Sequence, residues 1–184
     1  MLDLLELHKY FIRKHLKEGD VAVDFTMGNG HDTEFLSKTV GLRGHVYAFD
    51  IQKQALFSTK KHLEENGCPE NYTLIQASHH LVKDYVHEKI KAGMFNLDWL
   101  PCGDKSIFTL RETTLPAIEA ALELLDADGI LNIAIYPWHE EGDKEGKMVV
   151  DYLSTIDRHQ FACTRVNILN SPTSPYFIVV ERHE

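Results

Sequence analysis

The most constraining stretch of the chain is a short apolar run that breaks into a glycine turn and then into a helical pattern. Val21-Ala-Val-Asp-Phe25 reads as a buried strand, Met27-Gly-Asn-Gly30 as a tight turn, and 32–40 as a helix. The next apolar run, His45-Val-Tyr-Ala-Phe49, ends at Asp50, twenty residues after Gly30. Strand, glycine turn, helix and a second strand ending in a carboxylate is the opening of a βαβ unit with a ligand site at its carboxyl edge.

The rest of the chain continues the alternation. The first ~16 residues place Leu4, Leu5, Leu7, Phe11 and Ile12 near helical spacing. Helices are expected over 51–66, 82–91, 113–125 and 145–156, and strands over 72–76, 93–97 and 129–136. Two last strands, 162–169 and 176–181, have no helix between them, so they must pair as an antiparallel hairpin around Asn170-Ser-Pro-Thr-Ser-Pro175. The expected fold is therefore α/β: a seven-stranded, doubly wound, mostly parallel sheet with a C-terminal antiparallel hairpin.

At 184 residues, without a repeat or a Pro/Gly linker, the chain is expected to form one domain spanning 1–184. Hydrophobic residues at 43% and charged residues at 26% argue against disorder. A formal charge of −9 excludes a uniformly basic nucleic-acid binder but leaves room for local basic faces, and Lys9, Arg13, Lys14 and Lys17 form one such cluster. Cys68, Cys102 and Cys163 are scattered, with no Cys-x-x-Cys spacing for a disulfide framework or a zinc knuckle. The acidic residues Asp3 and Glu6 interrupt the leucines at the N-terminus, unlike a signal peptide, and no apolar run approaches the roughly 20 residues that span a bilayer. A cytoplasmic protein without a membrane partner is expected.

Gly28 and Gly30 allow close approach of backbone to ligand, and Asp50 sits where a carboxylate binds two ribose hydroxyls. A dinucleotide fingerprint starting at Gly28 would need Gly or Ala at position 33, where Thr33 stands. The pattern acidic-x-Gly-x-Gly-x-Gly of S-adenosylmethionine (AdoMet) sites fits better, through Asp24, Gly28 and Gly30, with Thr26 in place of the first glycine. AdoMet carries no phosphate, so a ribose carboxylate and backbone contact suffice. His79-His80 lacks a third ligand at suitable spacing, and Glu140-Glu141 beside Asp143 reads as a solvated acidic loop, so no metal is expected.

Longer motifs carry a more specific likeness. Asp24-Phe-Thr-Met-Gly-Asn-Gly-His-Asp-Thr33, Val46-Tyr-Ala-Phe-Asp-Ile-Gln52, Ser78-His79, Phe95-Asn-Leu-x-x-Leu-Pro-x-Gly-Asp-Lys105 and Tyr136-Pro-x-His-Glu-Glu-Gly142 resemble the family labelled rRNA methylases, also known as the MnmM-type tRNA methyltransferases. The resemblance implies a Rossmann-like class I methyltransferase fold. It also implies AdoMet-dependent methylation of the aminomethyl nitrogen of 5-aminomethyl-2-thiouridine at the wobble position of tRNA. The implied cofactor residues are Asp24, Met27, Gly28, Asn29, Gly30, Asp50, Gln52, Ser78 and His79. Of these, Asn29 and Gly30 would line the methionine end, Asp50 and Gln52 the ribose, and Ser78 and His79 the adenine.

Asn96 at the end of the fourth strand would orient the acceptor amine, Tyr136 would stack on the base, and His139 would accept a proton. Asn96 and His139 are the catalytic candidates. His79 and Asp98 also stand at strand ends as possible bases, though the family does not generally carry Asp98. The chain departs from the family at Asp98-Trp99, Cys102 and Trp138, which bear on substrate contact. Alternative readings are a methyltransferase for rRNA or a small molecule, and a nicotinamide-dependent oxidoreductase or non-catalytic nucleotide-binding module. The tRNA partner would be held through its anticodon loop, and a homodimer is left open.

Overall fold

The computed structural model describes residues 4–97 and 111–184. In chain order it contains α1 (Leu4–His15), β1 (Val21–Asp24), α2 (His31–Val40), β2 (His45–Asp50), α3 (Lys53–Glu65) and β3 (Tyr72–Gln76). After a 3₁₀ turn at His79–Leu81 come α4 (Val82–Tyr85), β4 (Ile90–Leu97), α5 (Arg111–Leu124), β5 (Leu125–Ile135), α6 (Glu140–Leu153), β6 (Phe161–Val166) and β7 (Tyr176–Arg182).

The strands form one sheet in the order β3-β2-β1-β4-β5-β7-β6. The first five run parallel, and β7 lies antiparallel between β5 and β6. The expected seven-stranded sheet with a terminal antiparallel pair is thus what the chain forms. Because side chains alternate across each strand, two cores result. Val23, Leu131, Ile133, Ile178 and Val180 pack under α4, α5 and α6, while Ala22, Ile130, Ala134, Phe177 and Val179 pack under α1 and α2. The buried β7 (Phe177 to Val180) and the half-exposed β6 show which of the last two strands is the edge.

Several boundaries differ from expectation. The helix expected over 82–91 ends at Tyr85, and β4 starts at Ile90. Val82 and Val86, four residues apart, are both fully inside, so one turn satisfies the apolar pattern. Ile90 then pairs with Leu125 in the sheet, and Lys91 Nζ donates to the carbonyl of Ala127 at 2.7 Å. Similarly, α6 starts at Glu140 rather than 145, so Glu140, Glu141 and Asp143 form a helix first turn and not an acidic loop. Their charges face the positive end of the helix dipole, and His139 caps it by accepting the Gly142 N–H at Nδ1.

One packing feature positions the site. Gly93 on β4 lacks a side chain where a Cβ would come within 2.9 Å of the Phe25 ring and 2.6 Å of Leu131. The Phe25 ring therefore lies flat on β4 and stacks on Phe95, with centroids 4.0 Å apart. The main chain just after β1 is held there by the Phe25 N–H donating to the carbonyl of Met94 at 2.9 Å.

Candidate active site

The parallel strands bring the ends of β1, β2, β3, β4 and β5 to one edge of the sheet, where ligands of open α/β sheets bind. The glycine turn after β1 is pinned on three sides. The Met27 N–H donates to the carbonyl of Phe49 at 2.9 Å, and the Gly28 N–H to Asp50 Oδ2 at 3.2 Å. Thr59 on α3 donates its hydroxyl to the Gly28 carbonyl at 3.1 Å. Gly30 sits at φ 89°, and a Cβ there would meet the Thr59 Cα at 3.0 Å, so both conformation and space call for glycine. The turn feeds directly into α2, whose N-terminal amides face the same region.

Two carboxylates define the chemistry of this cradle. Asp24 is fully buried; Oδ2 accepts the Thr33 hydroxyl at 2.6 Å and Oδ1 the Thr26 N–H at 3.1 Å. Burial, then the neighbouring Asp32 charge, push its carboxyl up to about 7, against the pull of those two hydrogen bonds. Asp50 accepts backbone N–H groups at both oxygens, from Gly28 and from Gln52 at 2.9 Å, and burial raises its carboxyl too. Asp24 also feels the Asp50 charge. With Asp32 in the first turn of α2 as a third carboxyl nearby, the ammonium and sulfonium of AdoMet suit this turn, and Asp50 keeps lone pairs for a ribose diol. The residues present fit AdoMet.

Hydrogen bonds thus draw Asp24, Gly28, Gly30, Asp50 and Gln52 around one turn, with Asn29 between its two glycines. Met27 joins only through its backbone, because its side chain is buried against Ala48 and Ala55. His79 is also buried, with Nδ1 3.2 Å from the Phe25 carbonyl. A carbonyl can only accept, so Nδ1 carries the proton, and burial pushes the imidazole down to about 4. His79 therefore ties the exit of β3 to the end of β1 as a neutral ring. Beside it, Ser78 Oγ lies 2.8 Å from His80 Nδ1.

Asn96 stands at the end of β4. Its N–H donates to Thr26 Oγ1 at 2.7 Å, which links the acceptor-side strand to the glycine turn. Its side-chain carbonyl Oδ1 is buried and has no hydrogen-bond partner among the described residues. Tyr136 and Trp138 follow β5 with ring centroids 5.0 Å apart, and Trp138 is half exposed. His139 accepts at Nδ1 from Gly142, which commits the lone pair of that nitrogen to the cap. A capping role thereby occupies the nitrogen that would act as a base. Asp98, Trp99 and Cys102 lie outside the described residues.

Sequence reasoning used Thr26 and Thr33 only as departures from motifs, yet both hydroxyls hold the site together. Thr59 and His8 gave no signal: Thr59 lies mid-helix in α3, and His8 on α1 brings Nε2 to 3.9 Å from Asp32 Oδ1. Ile51, half exposed immediately after Asp50, offers apolar surface at the cradle rim. One described cluster has metal-ligand types: His31, Glu34 and His62, with ligand atoms within 4.8 Å of one another. The Glu34 carboxylate there already pairs with Lys38 and His62, each at 2.6 Å, and the cluster clamps α2 to α3.

This sheet order and this cradle define the class I methyltransferase architecture. The family model described as "Putative rRNA methylase" matches residues 46–182. The chain belongs to that family. It is 35% identical over 179 residues to the chloroplastic tRNA (mnm(5)s(2)U34)-methyltransferase of Arabidopsis thaliana, covering 92% of this chain and 65% of the relative's length. The chain thus spans about two thirds of that relative. Among solved structures, a protein from Clostridium thermocellum described as a "putative rRNA-methylase" is similar at TM-score 0.95 and 37% identity, covering 99% of this chain and 98% of that one. A "putative methyltransferase" from Streptococcus mutans in complex with SAH is similar at TM-score 0.89 and 36% identity, covering 99% of each chain.

Proposed function

We propose that the protein is an AdoMet-dependent tRNA methyltransferase. It would methylate the aminomethyl nitrogen of wobble 5-aminomethyl-2-thiouridine to give 5-methylaminomethyl-2-thiouridine. The observation that carries this reading is Asn96 Oδ1, a buried acceptor without a partner among the described residues, hydrogen-bonded through its own backbone to the cofactor turn. Leaving such a carbonyl unmatched costs about 1–3 kcal/mol, so a native site keeps one when a ligand supplies the donor. The activity named for the Arabidopsis relative supports the choice of acceptor.

Bound AdoMet supplies an electrophilic methyl group on a sulfonium. Asp50 would hold the ribose diol, Gln52 would sit beside it, Asn29 and Gly30 would line the methionine end, and Ser78 and His79 would stand beside the adenine. Asn96 would accept one N–H of the neutral acceptor amine and aim its lone pair at the methyl carbon. The methyl group would pass to this nitrogen from AdoMet bound there, the N–C bond forming as the C–S bond breaks, with the amine proton released to solvent. Alignment of donor and acceptor supplies most of the rate. Tyr136 would stack on the thiouracil ring, and His139 would contribute as the cap that fixes the loop after β5.

The test is to incubate the protein and AdoMet with tRNA from cells lacking this gene, then separate the nucleosides. Conversion of 5-aminomethyl-2-thiouridine to its N-methyl product is expected. If that nucleoside persists while rRNA or a small amine is methylated in parallel reactions, the tRNA assignment fails. A thermal shift caused by NAD but not by AdoMet would remove the methyltransferase reading altogether.

A further inference from the structure

Tyr10, Arg13, Lys14 and Lys17 fall at i, i+3, i+4 and i+7, so they share one face at the end of α1 and just beyond it. All four are exposed, while Ile12 and Leu16 on the opposite face are buried. What sets this stripe apart is that three cations without an ion pair among the described residues share one helical face; Lys53, Lys89, Arg158, Arg165 and Arg182 also lack an ion pair there. Lys38, Lys60, Lys61, Lys83, Lys144 and Lys147 each lie within 4 Å of a carboxylate. Arg13, Lys14 and Lys17 have no ion pair among the described residues, on a chain of net charge −9. Two of them rest on aromatic rings instead: Lys14 Nζ lies 4.8 Å from the Tyr10 centroid and the Arg13 guanidinium 4.9 Å from that of Phe35 on α2.

The stripe is also joined to the site. His8, on the same helix, reaches Asp32 in the first turn of α2, and Phe35 lies one turn further along α2. From Tyr10 to Lys17 the helical rise covers about 10 Å, enough to follow several phosphates of a folded RNA strand. Cations kept free of carboxylates and interleaved with an exposed aromatic are the groups that hold a nucleic-acid backbone. A favourable contact with the α1 dipole also accounts for cations in its last turn, so substitutions must separate the two effects.

We infer that this face of α1 is a phosphate-contact surface for the RNA substrate; the inference rests on the tRNA reading above. The test replaces Arg13, Lys14 and Lys17 together by Gln and measures tRNA binding across a salt series, with AdoMet affinity and melting temperature in parallel. The variant is expected to bind tRNA at least ~10-fold more weakly at low salt, and its log–log salt slope is expected to be shallower by about 2, as the loss of three phosphate contacts requires. AdoMet affinity stays as in the wild type, and melting temperature falls by no more than the few degrees (roughly 2–6 °C) that the lost dipole contacts account for. Tyr10→Ala weakens binding a few-fold without changing the slope, and Tyr10→Phe does not. Unchanged tRNA affinity and slope would overturn the inference, as would a loss confined to melting temperature. If the wild type itself leaves the aminomethyl nucleoside unmethylated, the functional reading fails; if the wild type methylates it and the triple variant matches its KM for tRNA, only the α1 surface fails.

Discussion

Thr33 donates its hydroxyl to Asp24 Oδ2 at 2.6 Å, with both side chains fully buried. The residue that breaks a dinucleotide fingerprint is therefore the one that holds the acidic residue after β1. A dinucleotide site uses a small residue there for close helix–strand packing; this chain uses the same place to satisfy a buried carboxyl. Thr33→Val removes the donor at nearly constant volume and should cost about 1.5–3 kcal/mol. Melting temperature should fall by roughly 3–12 °C, and Thr33→Ser should recover most of it. A melting curve of Thr33→Val that matches the wild type would show that Asp24 does not depend on this bond.

Asp24 also sets a pH dependence. Its carboxyl is raised in the folded state from the ordinary 3.8 to about 7, by burial first and by Asp32 second. A raised acid binds its proton more tightly when folded, so its contribution to stability is complete below the unfolded pKa and is lost as pH rises through about 7. Asp24→Asn should flatten that part of the melting temperature–pH profile. Cofactor affinity should run the other way, because a cationic ligand favours the ionised carboxyl: AdoMet should bind more tightly above pH ~7.5 than below ~6. Calorimetric titration at the two ends checks the sign.

Gly30→Ala places a Cβ at 3.0 Å from the Thr59 Cα in a left-handed backbone. A loss of about 1–3 kcal/mol in stability is expected, accompanied by loss of AdoMet binding. Gly67→Ala is the control, since Gly67 also has positive φ but nothing within 4 Å of the added carbon. It should lower stability and leave AdoMet affinity intact.

Asn96→Leu keeps the size of the side chain and removes the unmatched carbonyl. Single-turnover methyl transfer should slow by about 10²-fold, as expected when an acceptor loses its alignment, while AdoMet affinity holds. Melting temperature should stay level or rise, because a buried acceptor without a partner has gone. A variant that melts early and transfers normally would place Asn96 in the frame of the fold and not in the reaction.

Much of the fold was legible because its signals are local. The apolar runs of β1, β2, β3 and β5, the turn at Gly28 and Gly30, and the close spacing of β6 and β7 each sit within a few residues. The misplaced boundaries lie where distant contacts win over local pattern. Ile90 looked helical until it paired with Leu125, and Glu140 looked like loop until His139 capped the helix after it. The position of the proposed site residues was legible in the same way: Asp50 and the glycines by spacing, Asn96 by its place at the end of a strand.

The sequence by itself determined an α/β alternation, the glycine turn, the carboxylate that follows it and a better fit to AdoMet than to a dinucleotide. These depend on residue type and on separations along the chain, which secondary structure converts directly into position. Only the tertiary structure decided that Thr26 clasps Asn96 across 70 residues, that Thr33 satisfies Asp24, that His79 is held neutral, and that Arg13, Lys14 and Lys17 have no ion pair among the described residues. Hydrogen bonds, desolvation and ion pairing depend on distance in space and on what excludes water, and neither is written in the order of residues.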